Sequence, residues 1–360
     1  MTSEWIALAH LVDPGDHRIG ERVRREGPRA VLAAIASAHP SVPEGVLRRY
    51  RAWESRDMTE VWQAQAAAVG ARIITRDDRE WPTQVDDLGA RAPFALWVTG
   101  APHLRLSLVR SIAVVGARAS TPYGDEIARR WSAELAGSGV TVVSGGAFGI
   151  DVAAHRGALL AGLTVCVVAG GVDVVYPRAH AALLARIADE GLVISESPPG
   201  QQALRPRFLT RNRLIAALTR ATVVVEAAER SGTASTAREA HDLNRPVAAV
   251  PGPLTSPASA GCHRLIRDHE AVLVASVDDV RELLGEQANR APDAAEEAGL
   301  QDTERRLLAE LRVGPAVSMD ALVRSSELTV AEVTAALGSL EALGHAQVDE
   351  RGWRAVRAHG

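Results

Sequence analysis

Two patterns of apolar residues divide the chain. In the first part, apolar residues recur at helical spacing in Glu4–Val12, Ile19–Ile35 and Met58–Val69, with prolines and glycines between these stretches. From about residue 76 the spacing changes, and short, almost wholly apolar runs alternate with amphipathic stretches. The runs predict strands at Ser111–Val115, Val140–Val143, Leu163–Val168, Leu192–Ser195, Thr222–Val225, Val247–Val250 and Ala271–Val274.

The amphipathic stretches between these runs predict helices. Strands that alternate with helices pair in parallel through right-handed crossovers, and strands that are apolar throughout are covered on both faces. The pattern therefore predicts an α/β fold with a doubly wound parallel sheet. The predicted helices are Gly124–Leu135, Asp151–Leu160, Arg178–Ala188, Phe208–Leu218, Thr233–Leu243, Gly261–Arg267 and Val277–Leu284.

The end of the chain changes character again. Residues 286–301 are polar, acidic and without periodicity, which is typical of a linker. Beyond them, three short helices and a hairpin that turns at Arg351–Gly352 predict a winged helix. Its third helix carries Glu332 and Glu341 but no arginine, so it lacks the cations that a DNA-reading helix needs, and this favours a protein contact. The elements are Asp302–Leu311, Ser318–Val323, Thr329–Leu343 and the hairpin Gln347–Val356.

These patterns predict four segments. They are a helical domain over 1–75, of the SAM or helix-hairpin-like type, an α/β domain over 76–285, the linker 286–301 and the winged helix over 302–360. A helix-hairpin-helix DNA module remains an alternative for the first segment, although its glycine-bearing hairpin is poorly formed. Five of the seven tryptophans fall in the first hundred residues, at spacings typical of a core.

Composition and charge narrow the class of protein. A chain of 360 residues with 47% apolar and 23% charged residues is typical of two or three folded domains, and it excludes disorder. The two cysteines lie far apart, which fits a reducing cytoplasm and predicts neither a disulfide framework nor a metal site. The longest apolar run is too short for a membrane span. Glu4 and Asp13 interrupt the N-terminal stretch, so a signal peptide is not expected.

One window departs from the overall net charge of −4. All 40 basic side chains are arginines, and between Glu196 and Glu226 there are five arginines and no carboxylate. A solvated surface usually mixes both signs, so this window points to an anion site. The arginines are Arg205, Arg207, Arg211, Arg213 and Arg220.

Glycine and hydroxyl residues follow most of the predicted strands. In an open parallel sheet ligands bind beyond the carboxyl ends of the strands, where glycine allows close approach of backbone N–H groups and the next helix presents its positive end. Several such loops at one edge predict a polyanion or nucleotide ligand. The dinucleotide fingerprint is absent, and so is the P-loop, because the chain has no lysine. The loops are 116–124, 144–151, 170–173, 226–233 and 251–261.

Candidate catalytic groups are few. Asp151 and His155 are four residues apart on one helix face and could form an acid/base pair, but a helix-terminal carboxylate and a hydrogen-bonded core histidine explain them as well. Cys262 and His263 are neighbours in sequence and so would not face each other. Glu226 at a strand end could act as a base. We therefore predict no catalytic residue, no metal site and no cofactor.

The loop sequences resemble those of the DprA/Smf family of DNA-processing proteins. The motifs are IAVVGAR at Ile112–Arg118, SGGAFGIDVAAH at Ser144–His155, FLTRNRLIAAL at Phe208–Leu218 and SGTASTA at Ser231–Ala237, in that order. The resemblance implies an extended Rossmann-like domain that binds single-stranded DNA and forms a homodimer. It also implies that the protein is not an enzyme, and that it delivers the strand to the RecA recombinase past single-strand-binding protein.

The resemblance also implies which residues bind the strand. Two departures from the family pattern stand out. Relatives often carry arginine at the position of Phe148, so either the loss of that cation weakens strand binding or the phenylalanine ring stacks on the strand instead. At position 117, Ala117 stands where relatives have serine, which removes one hydroxyl. Other aromatics near this edge are Tyr123 and Tyr176. The implied strand-binding residues are Gly116, Arg118, Ser144, Gly145, Phe148, Arg205, Phe208, Arg211, Asn212, Arg213, Ser231, Gly232 and Thr233.

Three expectations follow from this interpretation. Binding should depend mainly on phosphates, with log K falling against log salt with a slope near −3 if about four phosphates are neutralised. Phe208 should supply a stacking surface. Replacing both Arg211 and Arg213 by alanine should weaken strand binding by ~2–4 kcal/mol and leave the fold intact.

Two other functions remain open. One is a nucleoside-monophosphate phosphoribohydrolase-like enzyme that uses the same anion loops. Such enzymes show Pro-Gly-Gly-x-Gly-Thr followed promptly by Glu, whereas here Thr233 follows a single glycine and Glu239 comes six residues later. The other is a scaffold that acts through its winged helix and binds no DNA.

Overall fold

The computed structural model describes residues 2–53, 58–229, 232–286, 300–312, 316–326, 328–349 and 352–356. The chain divides into two compact units, Met1–Ala288 and Asn289–Gly360. The finer division predicted at residues 75 and 285 stays a prediction. Most of the predicted linker lies outside the described residues.

Among the described residues, the first unit begins with five helices; the first four share a core of their own, and the fifth packs in a separate cluster through Ala66. Asp16 caps the second helix, since its side chain accepts hydrogen bonds from the backbone N–H groups of Arg18 and Ile19. Trp5 packs into the core, as its spacing predicted. The helices are α1 (Thr2–Leu11), α2 (His17–Glu26), α3 (Pro28–Ala36), α4 (Glu44–Ala52) and α5 (Thr59–Ala68).

A nine-stranded sheet follows, in the order β1-β2-β6-β5-β4-β3-β7-β8-β9. The doubly wound α/β fold is confirmed, and all seven predicted strands are present in the predicted places. The structure adds two strands, and β1 falls inside the segment that the sequence analysis assigned to helices. The strands are β1 (Arg72–Thr75), β2 (Ala95–Thr99), β3 (Ser111–Val115), β4 (Thr141–Ser144), β5 (Thr164–Val167), β6 (Leu192–Ser195), β7 (Ala221–Val224), β8 (Val247–Ala249) and β9 (Val272–Leu273).

The pairing of these strands is parallel except at one edge. From β6 to β9 every neighbouring pair is parallel, whereas β1 pairs with β2, and β2 with β6, in antiparallel register. Arg72 on β1 forms an ion pair of 2.9 Å with Glu80, which ties the edge strand to the loop behind it.

Helices cover both faces of the sheet. Strand β3 shows the division, because Ala113 and Val115 face one core while Ile112 and Val114 face the other. Helices α10, α11 and α12 pack on the first face, and α7, α8 and α13 on the second. The helices are α6 (Leu104–Ser107), α7 (Pro122–Gly137), α8 (Ile150–Ala158), α9 (Ala181–Glu190), α10 (Arg205–Leu218), α11 (Thr233–Asp242), α12 (Ala260–Arg267) and α13 (Val277–Leu283).

Within its described residues the second unit has three helices and a hairpin, as the sequence predicted. Thr329 and Glu332 form a capping box at the start of the third helix. Leucines from the helices, including Leu307 and Leu337, form the core. The elements are α14 (Asp302–Arg312), α15 (Met319–Ser326), α16 (Val330–Ala342) and the antiparallel strands β10 (Ala346–Asp349) and β11 (Gly352–Ala355).

Candidate functional site

A cleft of about 740 Å³ lies at the carboxyl edge of the sheet. The loops after β3, β4 and β7, the loop after β8 and the first half of α10 line it. Seven of the predicted residues lie along this cleft: Gly116, Arg118, Phe208, Arg211, Asn212, Gly232 and Thr233. The structure therefore brings together loops that are far apart in the sequence.

A smaller pocket adjoins the cleft. The two share Arg118 and Phe208, and the pocket adds Gly145, Phe148 and Tyr176. Of the remaining predicted residues, Ser144, Arg205 and Arg213 line neither cavity. Ser231 lies outside the described residues.

Two glycines allow the loops to pack closely at this edge. At Gly149 the backbone has φ of +76°, and an added Cβ would lie 2.2 Å from the carbonyl oxygen of Ala117. At Gly116 an added Cβ would lie 2.5 Å from Cγ1 of Ile150. Only glycine therefore lets the loop after β3 approach the start of α8.

Arg118 presents the exposed cation of the cleft. Its guanidinium carbon lies 5.3 Å from the ring centroid of Phe208, which is a cation–π geometry. The loop that carries it is anchored by Glu226, whose carboxylate accepts hydrogen bonds from the backbone N–H of Thr121 at 2.8 Å and from its hydroxyl at 2.6 Å. Glu226 is buried and fully engaged, so its observed role is to hold the loop and not to act as a base.

Arg211 lies in the floor of the cleft. Its Nη1 donates to the carbonyl oxygen of Gly145 at 2.6 Å and also to that of Val167. Burial lowers the pKa of its guanidinium, and the nearby carboxylate of Asp151 opposes that effect. Nη1 of Arg211 therefore holds the loop after β4 against β5, and the prediction that this residue also binds phosphate stays a prediction.

Arg213 points away from the cleft. Its side chain is 1% exposed, and Nη2 donates to both carboxylate oxygens of Glu196, at 2.7 and 2.6 Å. The turn between α1 and α2 covers it, since an added Cβ at Gly15 would lie 3.0 Å from Nε of Arg213. The prediction that Arg213 binds phosphate is therefore wrong in this structure, because its charge is already neutralised inside the protein.

Ser144 and Arg205 also differ from the prediction. The hydroxyl of Ser144 is fully buried and donates to the carbonyl oxygen of Val114 at 2.6 Å, so it does not face a ligand. Arg205 is exposed at the start of α10, a helix that lines the cleft, but Arg205 itself does not line the cleft. Arg220 lies beyond the other end of α10, where its backbone N–H donates to Ser111 at the start of β3.

Asp151 stabilises the start of α8, and His155 stabilises the packing of this helix. Asp151 accepts a hydrogen bond from the backbone N–H of Ala147 at 3.2 Å, and burial raises the pKa of its carboxyl group. Nδ1 of His155 lies 2.7 Å from the hydroxyl of Thr164. Burial, helped by the charge of Arg211, lowers the pKa of His155 to about 3. Both residues thus have the structural roles that the sequence allowed.

Neither cysteine contributes to the site. Cys166 and Cys262 are buried free thiols, and burial raises the pKa of each to about 12, which keeps both protonated and unreactive. His263 turns to the carbonyl oxygen of Gly252, at 3.0 Å from Nε2. Within the described residues no group of three His, Cys, Asp or Glu side chains could hold a metal ion.

Two parts of the site were predicted only in outline. Ser256–Ala258 form a wall of the large cleft, and the sequence analysis gave their loop, 251–261, without naming a binding residue in it. The ring centroid of Tyr176 lies 5.3 Å from that of Phe208. Tyr176 was noted as an aromatic near this edge, and its position just after the glycine loop of β5 was the available signal.

The cleft as a whole suits an anion with an apolar part. The N-termini of α8 and α11 lie at its edge, and among the described residues no side chain caps either helix. Their partial positive charge adds to that of the exposed Arg118 guanidinium. The walls between these groups carry mostly small and apolar side chains, so the cleft matches a phosphodiester chain better than a compact, highly charged ion.

Comparison with known proteins identifies relatives of the whole chain. The family model for DNA recombination-mediator protein A matches residues 72–285, and that for the DprA winged helix domain matches 291–348. A relative from Mycobacterium tuberculosis, named as a DNA processing protein DprA, is 42% identical over 98% of this chain and 94% of its own length.

Two solved structures resemble this chain. The X-ray structure of DNA processing protein A from Streptococcus pneumoniae is 31% identical, with a TM-score of 0.66, and covers 78% of this chain and 97% of its own. The structure of DNA processing protein A from Helicobacter pylori, described for its single-stranded DNA binding mode, is 28% identical, with a TM-score of 0.54. It covers 60% of this chain and 97% of its own. In the described part of this chain, no helix is long and apolar enough to cross a membrane.

Proposed function

The chain belongs to the DNA recombination-mediator protein A family of DprA/Smf DNA-processing proteins, and from this premise we propose that its carboxyl-edge cleft binds single-stranded DNA without sequence preference. We further propose that the bound strand is passed to a RecA-type recombinase. The protein would act as a binding protein and not as an enzyme.

The observation that carries the proposal is the exposed guanidinium of Arg118 at the mouth of the 740 Å³ cleft. Arginine binds phosphate oxygens through charge-assisted hydrogen bonds, often two at a time. The start of α11, which no side chain caps among the described residues, offers backbone N–H groups to a neighbouring phosphate. Successive phosphates of one strand can therefore be held along the same edge.

Sequence tolerance follows from the kind of contact available. Guanidinium, backbone N–H groups and ring faces interact with phosphates and with the faces of any base, whereas sequence readout needs donors aimed at base edges. Of the described arginines predicted to bind the strand, Arg118 and Arg205 are exposed, whereas Arg211 and Arg213 are buried. With about two phosphates neutralised, log K should fall against log salt with a slope near −1.4, shallower than the sequence alone suggested.

The proposal that the strand is delivered to a recombinase is supported by membership of the family and by the reversible nature of the phosphate contacts. A strand held mainly by phosphates can be released stepwise as another protein binds it. We propose a homodimer, acting in the cytoplasm, as the delivering species, and single-strand-binding protein as the barrier that it relieves. The test is assembly of recombinase filaments on a strand coated with that protein. Faster assembly at stoichiometric amounts of the chain supports delivery, and no acceleration contradicts it.

Strand binding itself is tested by fluorescence anisotropy of a labelled oligothymidine, with unlabelled duplex as competitor. The proposal predicts binding that excess duplex fails to displace and that Arg118→Ala weakens. Arg220→Ala serves as the matched control, because this exposed arginine lies at the opposite end of α10. Absence of binding at low salt, or release of adenine from AMP by the protein, would contradict the proposal.

A further inference from the structure

A separate cavity lies where the first helices meet the antiparallel edge of the sheet. Its volume is about 380 Å³, and among the described residues it shares no lining residue with the strand-binding cleft or the small pocket beside it. This volume falls within the range of small-molecule sites, which begins at about 300 Å³. We call the cavity the junction pocket, and its walls include Trp5, Val23, Arg24, Arg76, Ala92 and Phe94.

Arg24 spans the gap between α2 and the segment Thr83–Arg91. The two backbones touch at Gly20, where an added Cβ would lie 1.8 Å from the carbonyl oxygen of Ala90. One helical turn further along the same face of α2, Nη1 of Arg24 lies 3.4 Å from the Cβ position of Gly89. The guanidinium of Arg24 therefore reaches across the pocket's edge from the helix to the opposite wall.

Arg76, just after β1, supplies a second cation. Its guanidinium carbon lies 5.6 Å from the ring centroid of Trp5, and Nη2 forms an ion pair of 2.9 Å with Asp86, so the group is held in one place. Its Nε is buried and has no hydrogen-bond partner among the described residues. A buried donor of this kind is normally satisfied by a ligand or an ordered water, which makes the wall of the pocket a place for an acceptor.

The charge of the lining is positive. Both arginines line the pocket and no described carboxylate does. The carboxylate nearest to Arg24 is that of Glu21, at 3.5 Å, and both of these side chains are more than half exposed. An exposed pair of this kind is weak in water, so Arg24 is available to an anionic ligand.

The rest of the pocket is apolar. Trp5 and Phe94 lie with ring centroids 6.3 Å apart and planes inclined by 24°, and Val23 and Ala92 are buried beside them. Small-molecule sites typically combine such walls with a few polar groups that fix the orientation of the ligand. The junction pocket therefore suits an anion that is joined to an apolar or aromatic body.

We propose that the junction pocket binds an organic phosphate of about the size of a nucleoside monophosphate. Arg24 and Arg76 hold the phosphoryl group, whose charge and three terminal oxygens match two guanidinium groups better than a carboxylate does. Trp5 and Phe94 contact the body of the ligand. Because the pocket shares no residue with the cleft, this is a second site, and it does not depend on the proposed function.

The probe is AMP, titrated into the full chain by isothermal calorimetry. Wild type and Arg118→Ala should both bind AMP with a Kd of about 1 mM or lower. Arg24→Ala should weaken AMP binding at least about tenfold, since a charge-assisted hydrogen bond is lost, and should leave Tm unchanged because the side chain is exposed. Arg25→Ala is the matched control, because this neighbour on α2 is exposed and does not line the pocket, and its AMP affinity should equal that of wild type.

Adenosine and inorganic phosphate test the two parts of the ligand. Each should bind more weakly than AMP, and Arg24→Ala should weaken the binding of phosphate but not of adenosine. Absence of AMP binding overturns the proposal, and so does an equal loss in Arg24→Ala and Arg25→Ala. Binding of AMP that Arg118→Ala abolishes and Arg24→Ala leaves unchanged would place AMP in the cleft and also overturn it. Oligothymidine binding should be the same in Arg24→Ala and wild type, so failure of the junction pocket leaves the proposed function standing.

Discussion

Replacing Arg213 should destabilise the fold and not the DNA complex. The Arg213→Ala variant leaves Glu196, which is 8% exposed and accepts two hydrogen bonds from Arg213, without its counter-charge. Removing one partner of a buried ion pair costs about 3–5 kcal/mol, because the other charge remains buried and unpaired. For a unit of this size that loss corresponds to a drop in Tm of roughly 6–20 °C.

The assay is thermal unfolding followed by circular dichroism, with oligothymidine binding measured well below the Tm of each variant. The Arg213→Met variant combined with Glu196→Met should recover most of the lost stability, since it removes both charges and fills similar volume. Two groups of Arg213, Nε and Nη1, are buried without a partner among the described residues, which further favours the apolar pair. An unchanged Tm together with a large loss of strand affinity would refute the assignment of Arg213 to the interior.

Three more outcomes are expected. Arg118→Ala should weaken oligothymidine binding about tenfold, the worth of one charge-assisted hydrogen bond, without lowering Tm, and Arg220→Ala should change neither. Burial lowers the pKa of His155 to about 3, so below pH 6.5 the unfolded chain binds more protons than the folded chain, and the free energy of unfolding decreases as the pH is lowered. In His155→Asn, the decrease in the free energy of unfolding between pH 7.5 and 5.5, measured by urea unfolding, should be smaller by roughly 1.4 kcal/mol. Removing residues 289–360 should leave oligothymidine affinity within about twofold, since the cleft lies in the first unit, and a large loss would place DNA contacts in the winged helix.

The strands and the loops of the site could be predicted because their signals are local. A strand such as Ser111–Val115 is apolar at every position after Ser111 and is followed at once by glycine, so both its burial and its ligand edge can be predicted from the sequence. Strand β2 carries the same local signal, an apolar run followed by Gly100, which the sequence analysis overlooked, whereas β1 lacks it. Arg72 stands at the start of β1, at the edge of the sheet, where its side chain is part-exposed and pairs with Glu80, a residue outside the strand.

The roles of the arginines could not be predicted, because they depend on partners distant in sequence. The window without carboxylates was defined between Glu196 and Glu226, and the residue that bounds it, Glu196, is the counter-charge of Arg213. Nη1 of Arg211 donates to two carbonyl oxygens, which a count of charges does not register. Tyr176 joins the aromatic pocket because the loop after β5 turns toward α10, which periodicity does not predict.

The salt dependence of oligothymidine binding, measured by anisotropy for wild type and Arg118→Ala, tests the central claim most directly. Each neutralised phosphate of a single strand adds about 0.7 to the magnitude of the slope of log K against log salt. A slope near −1.4 for wild type that falls to near −0.7 in the variant is the expected result. The same slope in both proteins, or no dependence on salt, would contradict the binding of the strand at the Arg118 cleft.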